Sequence, residues 1–177
     1  MFKLNRLFSF KERELIFLKS ETKCQLSSVD DVFIVDDIEQ LDKFYLPKKD
    51  KVFIFNELRR GGSLLVKTLD DKSTVISYLF FVKGKQMPIT ELGLLLDSDA
   101  NYIYGANTIK EYRGRGAFKD NLRFAREKLL GTIYIAVDKN NFSSIKAINS
   151  VMFFKNNFSL KVSSFWFFKK IELKLIK

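Results

Sequence analysis

Residues 102–130 read YIYGANTIKEYRGRGAFKDNLRFAREKLL, and the succession of residue types in this stretch decides the fold. Tyr102 to Ile109 is aromatic and β-branched and predicts a strand. Lys119 to Leu130 places Leu122, Ala125, Leu129 and Leu130 on one helical face, and Gly131 closes that helix. Thr132 to Val137 (TIYIAV) is short and apolar, as an internal strand of a parallel βαβ crossover is. Between strand and helix stands Arg113-Gly114-Arg115-Gly116-Ala117. A turn of this kind is suited to holding phosphate. Gly114 and Gly116 let the backbone approach closely, the first helical turn offers unpaired N–H groups, the helix dipole favours negative charge, and Arg113 and Arg115 add to it. Two other nucleotide sites do not fit: the string lacks the Lys-Ser/Thr ending of a P-loop, and it lacks GxGxxG followed by an acidic residue about twenty positions on.

Upstream, Glu14 to Lys19 reads as a short strand, followed by a polar stretch in which Ser27, Ser28, Asp30 or Asp31 could cap a helix. Ile38 to Phe44 has helical spacing, and Val52 to Arg60 is a second helix stopped by Gly61-Gly62. Ser63 to Leu69 and Thr74 to Val82 form a hairpin around Asp70-Asp71-Lys72. A break is expected around Gly84 and Pro88, and Leu92 to Leu96 can be a strand. Downstream, a helix runs from Ser143 to about Phe154, and an aromatic strand from Phe165 to Ile176 closes the chain. No repeat or linker is visible, so a single α/β domain over residues 1–177 is expected, with residues 1–13 a basic arm or helix.

The 177 residues carry 31 Lys plus Arg against 21 Asp plus Glu, a formal charge of +10 that suits an anionic partner. The absence of histidine excludes a Ser-His-Asp triad, a Cys-His pair and imidazole-ligated zinc, and no metal is expected. The one cysteine, Cys24, excludes an intrachain disulfide framework and favours a reducing, cytoplasmic compartment. No apolar run approaches the ~20 residues of a spanning helix, and no secretory signal is expected. Met1 to Arg13 leaves two roles open, an arm packed on the domain or a peripheral membrane contact through Leu4, Leu7 and Phe8.

The sequence resembles the GCN5-related N-acetyltransferases (GNAT), whose hallmark is Arg/Gln-x-x-Gly-x-Gly/Ala between the fourth strand and third helix. Arg113-Gly114-Arg115-Gly116-Ala117-Phe118 matches at the arginine and the fourth-place glycine and departs at Phe118, and Lys110-Glu111-Tyr112 resembles the usual lead-in. Val137 to Ile145 (VDKNNFSSI) resembles the second family block, a strand end followed by Asn-x-x-Ser, here Asn141 and Ser144, and a helix. Of the Gly-Phe that often follows, only Phe153 is present.

The resemblance implies a GNAT-like fold with a mixed sheet splayed between the fourth and fifth strands and flanked by helices. It implies acetyl-CoA as acyl donor, its pyrophosphate on backbone N–H groups of Arg115, Gly116, Ala117 and Phe118, and its pantetheine along Asn107, Thr108 and Ile109. A substrate amine would attack directly in a ternary complex after losing a proton. Glu91, Asp97 and Asp99 are the candidate acceptors, although each reads more simply as a solvated turn acid. Many members place a tyrosine seven residues after the second-block Asn, where this chain has Ile148, so Tyr102, Tyr104, Tyr134 or water would have to protonate the thiolate. Asn141 either bonds the pantetheine or caps the following helix.

The expected acceptor is a primary amine, and the positive charge favours the amino group of a nucleotide-linked sugar used in surface polysaccharide. Nucleic acid is not expected, because the cations are dispersed and neither a zinc-finger pattern nor an RNP1-like string occurs. Two alternatives remain at this stage, a non-catalytic basic module binding nucleic acid or anionic membrane, and a degenerate acyl-CoA-binding protein. Phe165-Trp166-Phe167-Phe168, alternating faces, fits a core, a homodimer contact or a substrate wall.

Overall fold

The two runs flanking Asp70-Asp71-Lys72 form the expected hairpin in the computed structural model, which describes residues 11–22, 29–84, 86–89, 94–97, 99–151, 155–165 and 168–175. Ser63–Thr68 (β3) pairs with Val75–Val82 (β4), and the Asp71 carboxylate closes the turn by accepting from Ser73 and Thr74 N–H at 2.9 and 2.8 Å. All but the last residue of β4 is buried, the signature of a strand covered on both faces.

Around this hairpin lie Lys11–Thr22 (β1), Val32–Val35 (β2), a 3₁₀ turn over Ile38–Lys43, Lys51–Arg59 (α1), and a separate antiparallel pair, Gln86–Ile89 (β5) with Leu94–Asp97 (β6). Then come Asn101–Thr108 (β7), Ala117–Lys128 (α2), Gly131–Asp138 (β8), Phe142–Val151 (α3), Lys155–Phe165 (β9) and Phe168–Leu175 (β10). The main sheet has the order β10-β9-β1-β8-β7-β4-β3-β2, with β7 and β8 parallel and the other pairs antiparallel. Two apolar layers cover it. On one face, α1 and the 3₁₀ turn bury Ile54, Leu58 and Leu41 with Phe17, Phe80, Tyr102 and Tyr104. On the other, α2 and α3 bury Leu122, Ala125 and Ile148 with Leu79, Ile103, Ile133 and Ile135. Each such fully buried aliphatic or aromatic side chain contributes about 1.5–3 kcal/mol of transfer free energy.

Three segments differ from the sequence-based expectation. The helix cap placed among residues 27–31 is instead Asp37, which accepts from Glu39 N–H, and β2 occupies the intervening chain. Pro88, expected in a break, lies inside β5; a two-stranded pair has free edges that do not require its missing N–H. Where one closing strand was expected, β9 and β10 form a hairpin; the expected helix end at about Phe154 lies outside the described residues. The expectations for Met1 to Phe10, Phe153, Trp166 and Phe167 lie outside the described residues. Among the described residues, no helix is long and apolar enough to cross a membrane.

Candidate functional site

The parallel ladder between β7 and β8 is only three pairs long, from Asn101↔Ile133 to Ile103↔Ile135. Beyond it β7 continues to Thr108 and β8 to Asp138, each still paired on its outer side, to β4 and to β1. The sheet therefore opens between the carboxyl ends of two adjacent parallel strands, where α/β sheets characteristically take ligands. On β7 the opening coincides with a bulge: Gly105 and Ala106 together oppose Leu79, and Gly105 adopts φ +59°. A Cβ on Gly105 would lie 3.0 Å from the Phe80 ring, so a side chain there would strain the backbone and push that ring aside.

The far end of β7 is tied down on several sides. Ile109 N–H donates to Ile76 O (2.9 Å), Ser77 Oγ donates to Asn107 O (3.1 Å) and meets Thr108 Oγ1 (2.9 Å), and Arg113 Nε donates to Thr108 O (3.0 Å). Asn121 of α2, fully buried, donates to Ser77 Oγ at 3.3 Å and so fastens the helix to the strand. Asn107 Nδ2 reaches Asp50 Oδ2 at 3.0 Å, and burial pushes the neighbouring Tyr78 hydroxyl up to about 12.

The helix that follows begins at Gly116 (φ 92°), with no side chain capping it. Asp120 N–H is the one that reaches back to Gly116 O, so the N–H groups of Ala117, Phe118 and Lys119 lack intrahelical acceptors. A Cβ on Gly114 or Gly116 would meet nothing within 4 Å, which leaves an open cradle in front of those donors. Arg115 stacks over the Tyr112 ring at 5.5 Å. From the β8 side, α3 starts with Asn141, whose Oδ1 accepts from Ser144 N–H (3.2 Å) and Ser143 Oγ (3.0 Å). Both helix starts border one cavity of about 570 Å³ whose lining, among the described residues, includes Arg113, Lys119 and Lys146 and no carboxylate.

Solved structures with this architecture exist. A protein from Novosphingobium aromaticivorans DSM 12444, named for the GNAT acetyltransferase family, aligns with TM-score 0.59 and 12% identity over 97% of this chain and 69% of its own. A GNAT-family acetyltransferase from Colwellia psychrerythraea gives 0.54 and 16% over 95% and 57%, and a Drosophila protein 0.50 and 12% over 98% and 54%. The fold is that of the GNAT acetyltransferases. This chain spans little more than half the length of the second and third of these proteins. No family model matches the sequence, and no curated protein does.

Within the GNAT fold, the residues expected from the sequence distribute unevenly. Asn107, Thr108, Arg113, Gly114, Gly116, Ala117, Phe118, Asn141 and Ser144 line the cavity; Ile109 and Arg115 do not. The N–H of Ile109 is spent on β4, and Arg113 anchors the turn to β7 as well as adding charge. Of its two suggested roles, Asn141 performs the capping one, while still facing the cavity. Ile148 is buried in the α2–α3 core.

Tyr104 lies elsewhere. It is buried in the opposite apolar layer, stacked between Tyr102 and Phe80, with its hydroxyl beside Gly62. Burial and the neighbouring Glu57 carboxylate hold that hydroxyl in its protonated form far above the ordinary tyrosine range. Glu91 lies outside the described residues, Asp97 ends β6, and Asp99 is exposed. The cavity residues that were not anticipated include Tyr112, Lys119 and Lys146. Their signal was available in part, because Lys119 falls in the first turn of the helix that the RGRG string predicts.

Proposed function

We propose that this chain is an acetyl-CoA-dependent N-acetyltransferase that acylates a primary amine. One observation carries the proposal: the β7–β8 opening meets, at its mouth, a helix start whose donors face an uncapped glycine cradle. The fit is chemical as well as spatial, since the described lining residues offer backbone donors and cations, with no carboxylate among them to repel a phosphate. When bound, acetyl-CoA supplies an activated thioester carbonyl. The chain's part is to hold and orient. The N–H groups of Ala117, Phe118 and Lys119 would take the pyrophosphate, and the bulged end of β7 at Ala106 to Thr108 would line the pantetheine channel. The amine must be neutral to attack, and we assign proton acceptance to the segment bearing Glu91 and Asp97. The amino group of a nucleotide-linked sugar remains the preferred acceptor, because the +10 charge suits a second phosphate-bearing ligand. Protonation of the departing thiolate is assigned to water, since Tyr104 is outside the cavity and Ile148 carries no acid.

The decisive experiment is calorimetric titration of acetyl-CoA, with CoA and ATP as comparators and Gly116→Asp as control. The variant puts a carboxylate into open space in front of the donors, so saturable binding of the CoA species, lost in a folded variant, is expected. Absence of binding at millimolar ligand, or unchanged affinity in the variant, would overturn the assignment. The apolar Ile148 favours a second reading, binding without turnover, and release of CoA from acetyl-CoA across a panel of amines separates the two.

A further inference from the structure

The cavity holds more positive charge than a pyrophosphate needs, and its cations are not equivalent. Elsewhere several described cations are matched, Arg123 and Lys67 by Asp120, Lys139 by Glu14, Arg13 by Asp138, Lys161 by Glu12, and others stand exposed to solvent away from the cavity. Lys119 and Lys146 have no carboxylate within 4.0 Å among the described residues, and none lines the cavity they share. Arg113 already spends Nε on the Thr108 carbonyl. Lys119 belongs to the first turn of α2, so its ammonium stands with the free N–H groups at the pyrophosphate seat. Lys146 belongs to α3, whose first turn spends Ser144 N–H on Asn141 Oδ1 and Ile145 N–H on Asn141 O. On that side of the cavity it is the one cation among the described lining residues, a point charge on a flexible stem.

A lone ammonium suits a phosphate monoester, which carries close to two negative charges near neutral pH and demands no fixed fork geometry. CoA bears one such group, the 3′-phosphate of its ribose, apart from the pyrophosphate. We propose that Lys146 reads this 3′-phosphate and makes the site select CoA over 3′-dephospho-CoA, while Lys119 serves the pyrophosphate that both ligands share. The inference rests on the acetyl-CoA assignment made above.

The test is titration of CoA and 3′-dephospho-CoA into the intact protein and into Lys146→Ala, Lys146→Arg and Lys119→Ala, with thermal melts as the fold control. The wild type is expected to prefer CoA by roughly tenfold, the scale of one charged hydrogen bond. Lys146→Ala brings CoA down to the dephospho-CoA level and leaves dephospho-CoA unchanged, whereas Lys146→Arg keeps the preference. Lys119→Ala weakens both ligands by the same factor. Equal wild-type affinity for the two ligands, or a Lys146→Ala that weakens both alike, overturns the assignment of Lys146 and leaves CoA binding intact. Failure of either ligand to bind overturns the acetyl-CoA assignment as well.

Discussion

A methyl group on Gly62 would stand 2.6 Å from the Tyr104 hydroxyl and 3.1 Å from the Glu57 carbonyl oxygen. Neither neighbour is free to retreat. Tyr104 is held between Tyr102 and Phe80 at ring separations of 5.5 and 5.6 Å, and the Glu57 carbonyl accepts from the Gly62 N–H itself at 3.0 Å. Gly62→Ala is therefore expected to lower stability by roughly 1–3 kcal/mol, with part of the loss recovered in Tyr104→Phe, which removes the obstructing oxygen. Urea denaturation of the double-mutant cycle measures this; strict additivity would show that the hydroxyl is not the obstacle. The same packing shows why Tyr104 was misplaced by sequence reasoning. Period-2 alternation puts Tyr102 and Tyr104 on one face of β7, but nothing local says which face carries the cavity. Asp71 gives a pH prediction at the same scale. Hydrogen bonds from Thr74 and Ser73 hold its carboxyl down at about 2, against 3.8 when unperturbed. A depressed folded-state pKa contributes stability that is complete above the unfolded value and lost as pH falls towards about 2. Denaturant midpoints between pH 5 and pH 2 are expected to fall less steeply in Asp71→Asn than in the wild type, and parallel acid limbs would refute the capping role.

At the scale of elements, the segments that could be read were those whose signal is local. The α2 helix has its apolar stripe, β8 its unbroken apolar run, and the β3–β4 hairpin its turn formers, and each appears within a few residues of its expected bounds. Strand β2 is four residues long and follows a run of good capping residues, so helix-start chemistry outweighed it. In β9 the alternation of Phe158, Leu160 and Val162 was legible, but the helical pattern before it and the dense aromatic cluster after it drew both boundaries away. The turn joining β7 to α2 carries the element-scale prediction. Arg113 is exposed, yet its Nε bonds the last carbonyl of β7, so it sets the direction in which the cradle faces. Arg113→Ala is expected to weaken acetyl-CoA binding by about tenfold, the loss of one hydrogen bond from a charged donor, with little change in melting temperature. Arg113→Lys keeps the charge and lacks the fork, so it should restore little if the role is positional. Full recovery in the lysine variant would assign Arg113 to charge alone.

Over the whole molecule, the feature least legible in the sequence is the position of β1, because strand neighbours separated by more than a hundred residues leave no local trace. The first described strand pairs with β8 on one side and β9 on the other, joining the β9–β10 hairpin to the rest of the sheet. It also shapes the candidate site at a distance. The half of β8 that parts from β7, Ala136 to Asp138, keeps its ladder only through Leu15 to Phe17, so the far wall of the opening is held by the beginning of the chain. Phe17 is the keystone of this arrangement, fully buried and stacked on Phe158 at 4.3 Å. Phe17→Ala should cost roughly 3–5 kcal/mol, a large share of the 5–15 kcal/mol typical of a domain. The loss is expected to be uneven, since β2, β3 and β4 make their own local ladder and do not pair with β1. Native-state hydrogen exchange in the variant should show amides of Ala136, Val137 and the β9 ladder deprotected first, with those of Leu65, Val66 and Leu79 retained, and acetyl-CoA affinity falling with the former. Equal loss of protection across both groups would mean that the sheet opens as one cooperative unit and that β1 has no separate hold on the site.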